Sequence, residues 1–149
     1  MSHIRPASPQ DTARLAEIEV FNYRLNFFPI FQNDDYYFNE LQVPHLIIRY
    51  QHNPQWLAHT YVYDDGVVKG FIRVEGHQIK KLFVEPVLQN QAIGTALLNF
   101  AISQLQANSL WALEKNTRAI AFYQRHGFRM TPHRILEEGT TEYLVYLEK

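Results

Sequence analysis

Apolar and polar positions alternate along this chain with two periods, and the points where the period changes divide it into elements. Ile93, Ala96, Leu97, Phe100 and Ala101 fall at i, i+3, i+4, i+7 and i+8. That is one face of an α-helix, and its width predicts a helix packed on a sheet. Near the start, residues 3–6 read as a short strand. Ser8-Pro9-Gln10-Asp11 then joins a capping serine, a proline at the first helical position and a carboxylate three residues after the cap. A helix opens there, with Leu15, Ile18, Phe21 and Leu25 as its apolar stripe and Arg14, Glu17 and Arg24 on the wet side. From Phe21 to Tyr50 the chain is aromatic and interrupted by Pro29 and Pro44, which predicts irregular helix. Residues 59–63 and 67–74 read as strands joined by Asp64-Asp65-Gly66, whose Asp-Gly pair supplies the positive backbone angles of a tight hairpin. After Gly76 a third strand covers 78–85 and ends before Pro86, which has no N–H to give to a ladder. Residues 110–113 are short and apolar enough for a buried strand. Asn116 caps a helix closed by Gly127, and strands over 128–136 and 140–147 meet at Glu137-Glu138-Gly139. The order predicts an α/β fold: one mixed sheet flanked by helices, antiparallel at first and crossing over through the Ile93 helix.

Composition narrows the picture. At 149 residues with 46% hydrophobic and 14% aromatic positions against 19% charged, the chain is expected to fold as a single domain spanning 1–149. Fourteen basic residues against fifteen acidic ones leave a formal charge of -1, and there is no basic run, so no nucleic-acid partner is expected. Cysteine is absent, which removes disulfides, thiolate metal sites and a cysteine nucleophile. No stretch approaches the roughly 18 apolar residues of a membrane span, and the amino end lacks a signal-peptide core. A cytoplasmic protein with no membrane partner is the expectation, and a homodimer is left open.

Chemistry enters between the third strand and the Ile93 helix, at Gln89-Asn90-Gln91-Ala92-Ile93-Gly94-Thr95-Ala96. A strand-to-helix turn of small residues aims several main-chain N–H groups at one point, where the helix dipole adds positive charge and a pyrophosphate can sit. The segment follows Lys80-Lys81-Leu82-Phe83-Val84-Glu85-Pro86, precedes Leu97-Leu98, and matches in register a Gln/Arg-x-x-Gly-x-Gly/Ala motif. About thirty residues on, Asn116-Thr117-Arg118-Ala119-Ile120-Ala121-Phe122-Tyr123-Gln124-Arg125-His126-Gly127-Phe128 fits Asn-x-x-Ala-x-x-Phe-Tyr-x-x-x-Gly-Phe. On these two motifs the chain resembles the GCN5-related N-acetyltransferases.

The resemblance implies a mixed central sheet with a splayed parallel strand pair holding the cofactor. It implies acetyl-coenzyme A as co-substrate, with its acetyl group passing to a primary amine of a small molecule or peptide. Main-chain groups of Phe83 and Val84 would pair with the pantetheine arm, and N–H groups of Gln89, Asn90, Gln91, Ala92, Ile93, Gly94 and Thr95 would hold the pyrophosphate. Asn116 would bond the arm from the other side, with Ala119 and Phe122 beside it. Tyr123 would be the general acid that protonates the thiolate. The chain departs from the pattern at Ala92, where the family has glycine; the expectation is that a methyl there permits a helical backbone. A second departure is Gln78, where some relatives carry a glutamate base. Glu75 and His77 flank it as weaker candidates for a proton relay. These departures keep a catalytically weak acyl-coenzyme A binding or sensing module open beside the enzyme, and a protein N-terminus or lysine is an alternative acceptor.

His45, His52 and His59 recur every seven residues, but Pro54 breaks any common helix and no carboxylate or cysteine joins them, so no metal is expected. The aromatic stretch from Phe21 to Phe38, interleaved with Asp34, Asp35 and Glu40, lies where the family builds its acceptor pocket. At least half of those rings are expected to pack against the sheet.

Overall fold

The structure, a computed structural model, describes residues 2–89 and 91–149. Seven strands form one sheet: β1 (Ile4–Pro6), β2 (Thr60–Asp64), β3 (Val68–Glu75), β4 (Gln78–Val84), β5 (Ser109–Leu113), β6 (Arg129–Leu136) and β7 (Tyr143–Glu148), in the spatial order β1-β2-β3-β4-β5-β7-β6. Neighbouring strands are antiparallel except β4 and β5, which are parallel and joined through α5 (Ile93–Leu105). The remaining helices are α1 (Thr12–Asn22), α2 (Phe28–Phe31), α3 (Val43–His52), α4 (Pro54–Ala58) and α6 (Thr117–Arg125). The mixed sheet flanked by helices agrees with the sequence reading.

The sheet separates two cores. On one face, Ile72, Val74 and Ile79 pack with Ile93, Leu97, Leu98 and Ala101 of α5 and with Ile120, Tyr123 and Phe128. On the other, Val62 and Phe71 pack with Leu15, Ile18 and Val20 of α1 and with Leu46 and Tyr50 of α3. Period-two alternation along β3 sends Phe71 and Ile72 to opposite cores, as a strand buried on both sides requires.

The stripe expected on α1 is only half right. Leu15 and Ile18 are buried, but Phe21 and Leu25 are exposed, and Glu19, Val20 and Asn22 take the inner positions instead. The backbone widens to a π-helix over Tyr23–Phe27 and again over Tyr36–Glu40, so the 3.6-residue period is lost there. Arg24 is not on the wet side either: half-buried, it donates to the carbonyls of Tyr37 and Leu41 at 3.1 Å each and ties the first irregular stretch to the second. At the start of α1, Asp11 takes the Ser8 N–H at 2.8 Å and two donors from Arg5 at 2.9 and 3.0 Å.

Candidate functional site

The parallel pair is hydrogen-bonded only at its base. Gln78 stands opposite Ser109 and Ile79 opposite Leu110; beyond them β4 and β5 diverge. The gap is a cleft of about 510 Å³, floored by Ile79–Val84 and Leu110–Leu113, roofed by Asn22, Tyr23, Asn26 and Phe27, and closed by Ala92–Thr95 on one side and by Asn116, Ala119, Phe122 and Tyr123 on the other. Such a volume is ordinary for a small-molecule site.

Register settles which main-chain groups of β4 face this gap. The Glu85 N–H donates to the Lys69 carbonyl at 2.9 Å, so in the antiparallel alternation Phe71 and Phe83 also bond each other, while Leu82 and Val84 point the other way. The Phe83 carbonyl accordingly lies 2.9 Å from where a Gly70 Cβ would stand. This corrects the expectation for Phe83: its peptide groups belong to β3, its ring lines the cleft, and the main chain of Leu82 joins that of Val84 at the open edge. The Val84 carbonyl already accepts from Asn22 Nδ2 at 2.9 Å, and Gln89 Nε2 donates to Asn22 Oδ1 at 3.2 Å.

Ala92 is not helical. It caps α5 in the left-handed region, with φ 62° and ψ 14°, which corrects the expectation of a helical backbone there. The glycine that the family motif carries there would meet that backbone at no steric cost. The first intrahelical bond runs from Ala96 N–H to the Ala92 carbonyl at 3.0 Å, so the N–H groups of Ile93, Gly94 and Thr95 lack helical acceptors and stand at the positive end of the helix. A Cβ on Gly94 would meet Phe122 at 3.6 Å and Val84 at 3.7 Å, ordinary contacts. Gln91 is exposed outside the cleft lining, and Asn90 lies outside the described residues.

On the far wall, Asn116 Oδ1 accepts the Ala119 N–H at 3.3 Å and caps α6. That cap turns one face of the helix to the gap. Tyr123 is 9% exposed, with its ring edge-on to Phe122 and Phe128. Burial alone pushes its hydroxyl well above the usual tyrosine value. Glu75 and His77 stand apart from this group, at the β3–β4 turn by the closed end of the strand pair. There His77 Nδ1 meets the Gln106 carbonyl at 3.1 Å, and neither residue lines the cleft. Among the described residues, no group of three or more His, Asp or Glu is placed to hold a metal ion.

A polar cluster under the roof has no counterpart in the sequence reading. Glu19, 4% exposed, accepts the Tyr50 hydroxyl at 2.9 Å and the Tyr23 hydroxyl at 3.2 Å. Lys81 Nζ donates to the Tyr23 hydroxyl and lies 3.9 Å from Glu19. The only sequence signal was an acidic residue at i−3 from Asn22 on the α1 inner face, which reads as solvated until the tyrosines are seen around it.

The profile of the acetyltransferase (GNAT) domain matches residues 56–130, half of the chain. A peptidyl-lysine N-acetyltransferase, YjaB of Salmonella typhimurium, is 32% identical over 78 residues, 52% of each chain. The chain thus spans about half the length of the curated relatives it matches. In fold, the chain is similar to the apo form of YjaB from Escherichia coli, with TM-score 0.70, 19% identity and coverage of 97% and 95%. It is also similar to the PaiA N-acetyltransferase of Thermoplasma acidophilum in complex with coenzyme A, with TM-score 0.67, 19% identity and full coverage of both chains. With the splayed strand pair, the helix head at its mouth and a family profile over half its length, the chain belongs to the GCN5-related N-acetyltransferase family.

Proposed function

We propose that the chain is a single N-acetyltransferase domain that moves an acetyl group from acetyl-coenzyme A to a primary amine by direct attack. One observation carries this reading: β4 and β5 part beyond Ile79 and Leu110 and open onto the head of α5, whose first N–H groups have no acceptor within the helix. A flexible acyl arm can lie in such a gap as an added strand, its polar ends meeting the main chain of Leu82 and Val84. The residues fit the group. Ile93, Gly94 and Thr95 offer N–H donors to phosphate, and Arg118 and Arg125 add positive charge along the same wall. The Asn22 and Gln89 side chains fix the strand end that such an arm must pass.

Within that arrangement the acceptor nitrogen attacks the thioester carbonyl and gives up a proton to water, the carbon–sulfur bond breaks, and Tyr123 gives its hydroxyl proton to the departing thiolate and is reprotonated from solvent. Burial keeps that hydroxyl protonated at neutral and mildly alkaline pH. The names of the curated relatives, peptidyl-lysine N-acetyltransferases, favour a lysine side chain in a peptide over a small amine as acceptor. The test follows free thiol release from acetyl-coenzyme A across lysine peptides, N-terminal peptides and small amines. Release with lysine peptides above the hydrolysis background is expected. Calorimetry showing no binding of acetyl-coenzyme A would overturn the reading, and binding without release would return the chain to a sensing module.

A further inference from the structure

We propose that Lys81 is itself an acyl acceptor, so that the protein carries a modification site inside its own cleft; this rests on the acyl-coenzyme A reading above. Lys81 lies on β4 one residue before Leu82, whose main chain faces the gap. Its ammonium sits 4.9 Å from the centre of the Tyr23 ring and 5.9 Å from that of Phe83. Lys81 and Tyr23 line the cleft, while Glu19 stands behind them. The amine therefore has a route toward the thioester in front and a carboxylate behind. Its neighbour Lys80 also borders the cleft, but it is exposed and donates to Gln78 Oε1 at 2.6 Å. Two adjacent lysines thus differ in enclosure, and Lys81 is the one beside Glu19.

Reactivity follows from those surroundings. Enclosure lowers the Lys81 pKa, the Glu19 and Glu137 carboxylates oppose that shift, and the Arg73 charge adds to it. Arg73 stands directly opposite in the ladder with its Nε buried and unbonded, so the pair is crowded with positive charge. A larger share of Lys81 is then a neutral nucleophile at a given pH than of an exposed lysine. The neutral nitrogen adds to the thioester carbonyl and the carbon–sulfur bond breaks. The thiolate takes a proton from Tyr123, and the nitrogen sheds one along the Tyr23 hydroxyl to Glu19. Solvent restores both groups. The products are Nε-acetyl-Lys81 and free coenzyme A.

The experiment incubates the full chain with acetyl-coenzyme A and reads acetyl occupancy at each lysine by peptide mass spectrometry. Lys81 is expected to fill about tenfold or more faster than exposed Lys115, which lies outside the cleft lining. Excess free coenzyme A should suppress filling of Lys81 and leave Lys115 unchanged. Equal filling of Lys81 and Lys115, or filling of Lys81 untouched by coenzyme A, overturns the proposal without recourse to any variant. Calorimetry on the same sample separates the two failures: no binding of coenzyme A sinks the functional reading, whereas binding with Lys81 left bare sinks this one.

Discussion

The two faces of the sheet are built by different rules. The α5 face is a regular helix whose inner positions are aliphatic, pressed on Ile72, Leu82 and Val84. The α1 face is aromatic and interrupted by two π-helical stretches, and it holds Glu19, Asn22 and Arg73 in its interior. Non-directional burial shapes the first, so its period survives in the sequence. Directed bonds shape the second: Glu19 gathers two tyrosines and approaches a lysine, and Asn22 spans from the Ile18 carbonyl to the Val84 carbonyl. The cleft lies where the two meet, taking the head of α5 and Tyr123 from the regular side and its roof from the irregular one.

The sharpest break in the comparison is chemical. Tyr123→Phe keeps the ring packing of the regular side and removes one hydroxyl. Turnover should fall about 10²- to 10⁴-fold with little change in acetyl-coenzyme A affinity, provided chemistry limits the rate. Because burial raises the Tyr123 pKa, the alkaline fall of the rate should begin above about pH 10, the ordinary tyrosine value. A decline centred well below that would assign the acid to another group.

Stability distinguishes the faces next. Leu97→Ala removes a fully buried aliphatic side chain and should cost about 2–5 kcal/mol. Glu19→Ala removes no comparable apolar surface, yet should cost about 3 kcal/mol, because Lys81 and two hydroxyls lose their common partner. The Glu19 loss should shrink when Lys81 is also changed to Met, and the Leu97 loss should not. Urea denaturation of the single and double variants measures the coupling.

This contrast also explains what the sequence could reveal. The order of strands, the Ile93 helix and the two motif segments were legible because each depends on local chemistry: Asp-Gly at a hairpin, Asn116 capping α6, aliphatics at helical spacing. The inner face of α1 was not. Glu19 and Asn22 look solvated by type, and only tertiary partners make them interior; the π-helical turns then displace Phe21 and Leu25 outward. At the site, the direction of the peptide groups on β4 depended on register with β3, which composition does not encode. Lys81 likewise could not be told from Lys80 until the strand showed which one faced Glu19.

Acid should loosen the irregular face first. Arg5 holds the Asp11 carboxyl below its ordinary value of 3.8, with burial opposing the shift. A carboxylate lowered in the folded state contributes stability that is present above its unfolded value and lost as pH falls through the folded one. Asp11→Asn should therefore cost about 1–3 kcal/mol at neutral pH, with the difference from the parent closing below about pH 4. Thermal unfolding of both proteins between pH 7 and pH 3 checks the convergence, and a constant gap across that range would remove Asp11 from the account.

The smallest effect concerns a strained residue at the mouth of the cleft. Ala92, at φ 62°, occupies a left-handed conformation that a side chain resists and glycine does not. Glycine also gives the unfolded chain more freedom, which offsets part of the gain, so Ala92→Gly should stabilise by only about 0.5–1 kcal/mol. Gln106, at φ 52° beyond the far end of α5, is the control. Gln106→Gly relieves a similar backbone strain at the opposite end of the same helix, away from the cleft lining. Both variants should gain a similar amount in urea, while only Ala92→Gly should alter acetyl-coenzyme A affinity, toward neutral or slightly tighter binding. If Ala92→Gly weakened binding while gaining stability, the methyl would be a contact that the site uses, and the departure from glycine would be a feature of this chain's specificity instead of residual strain.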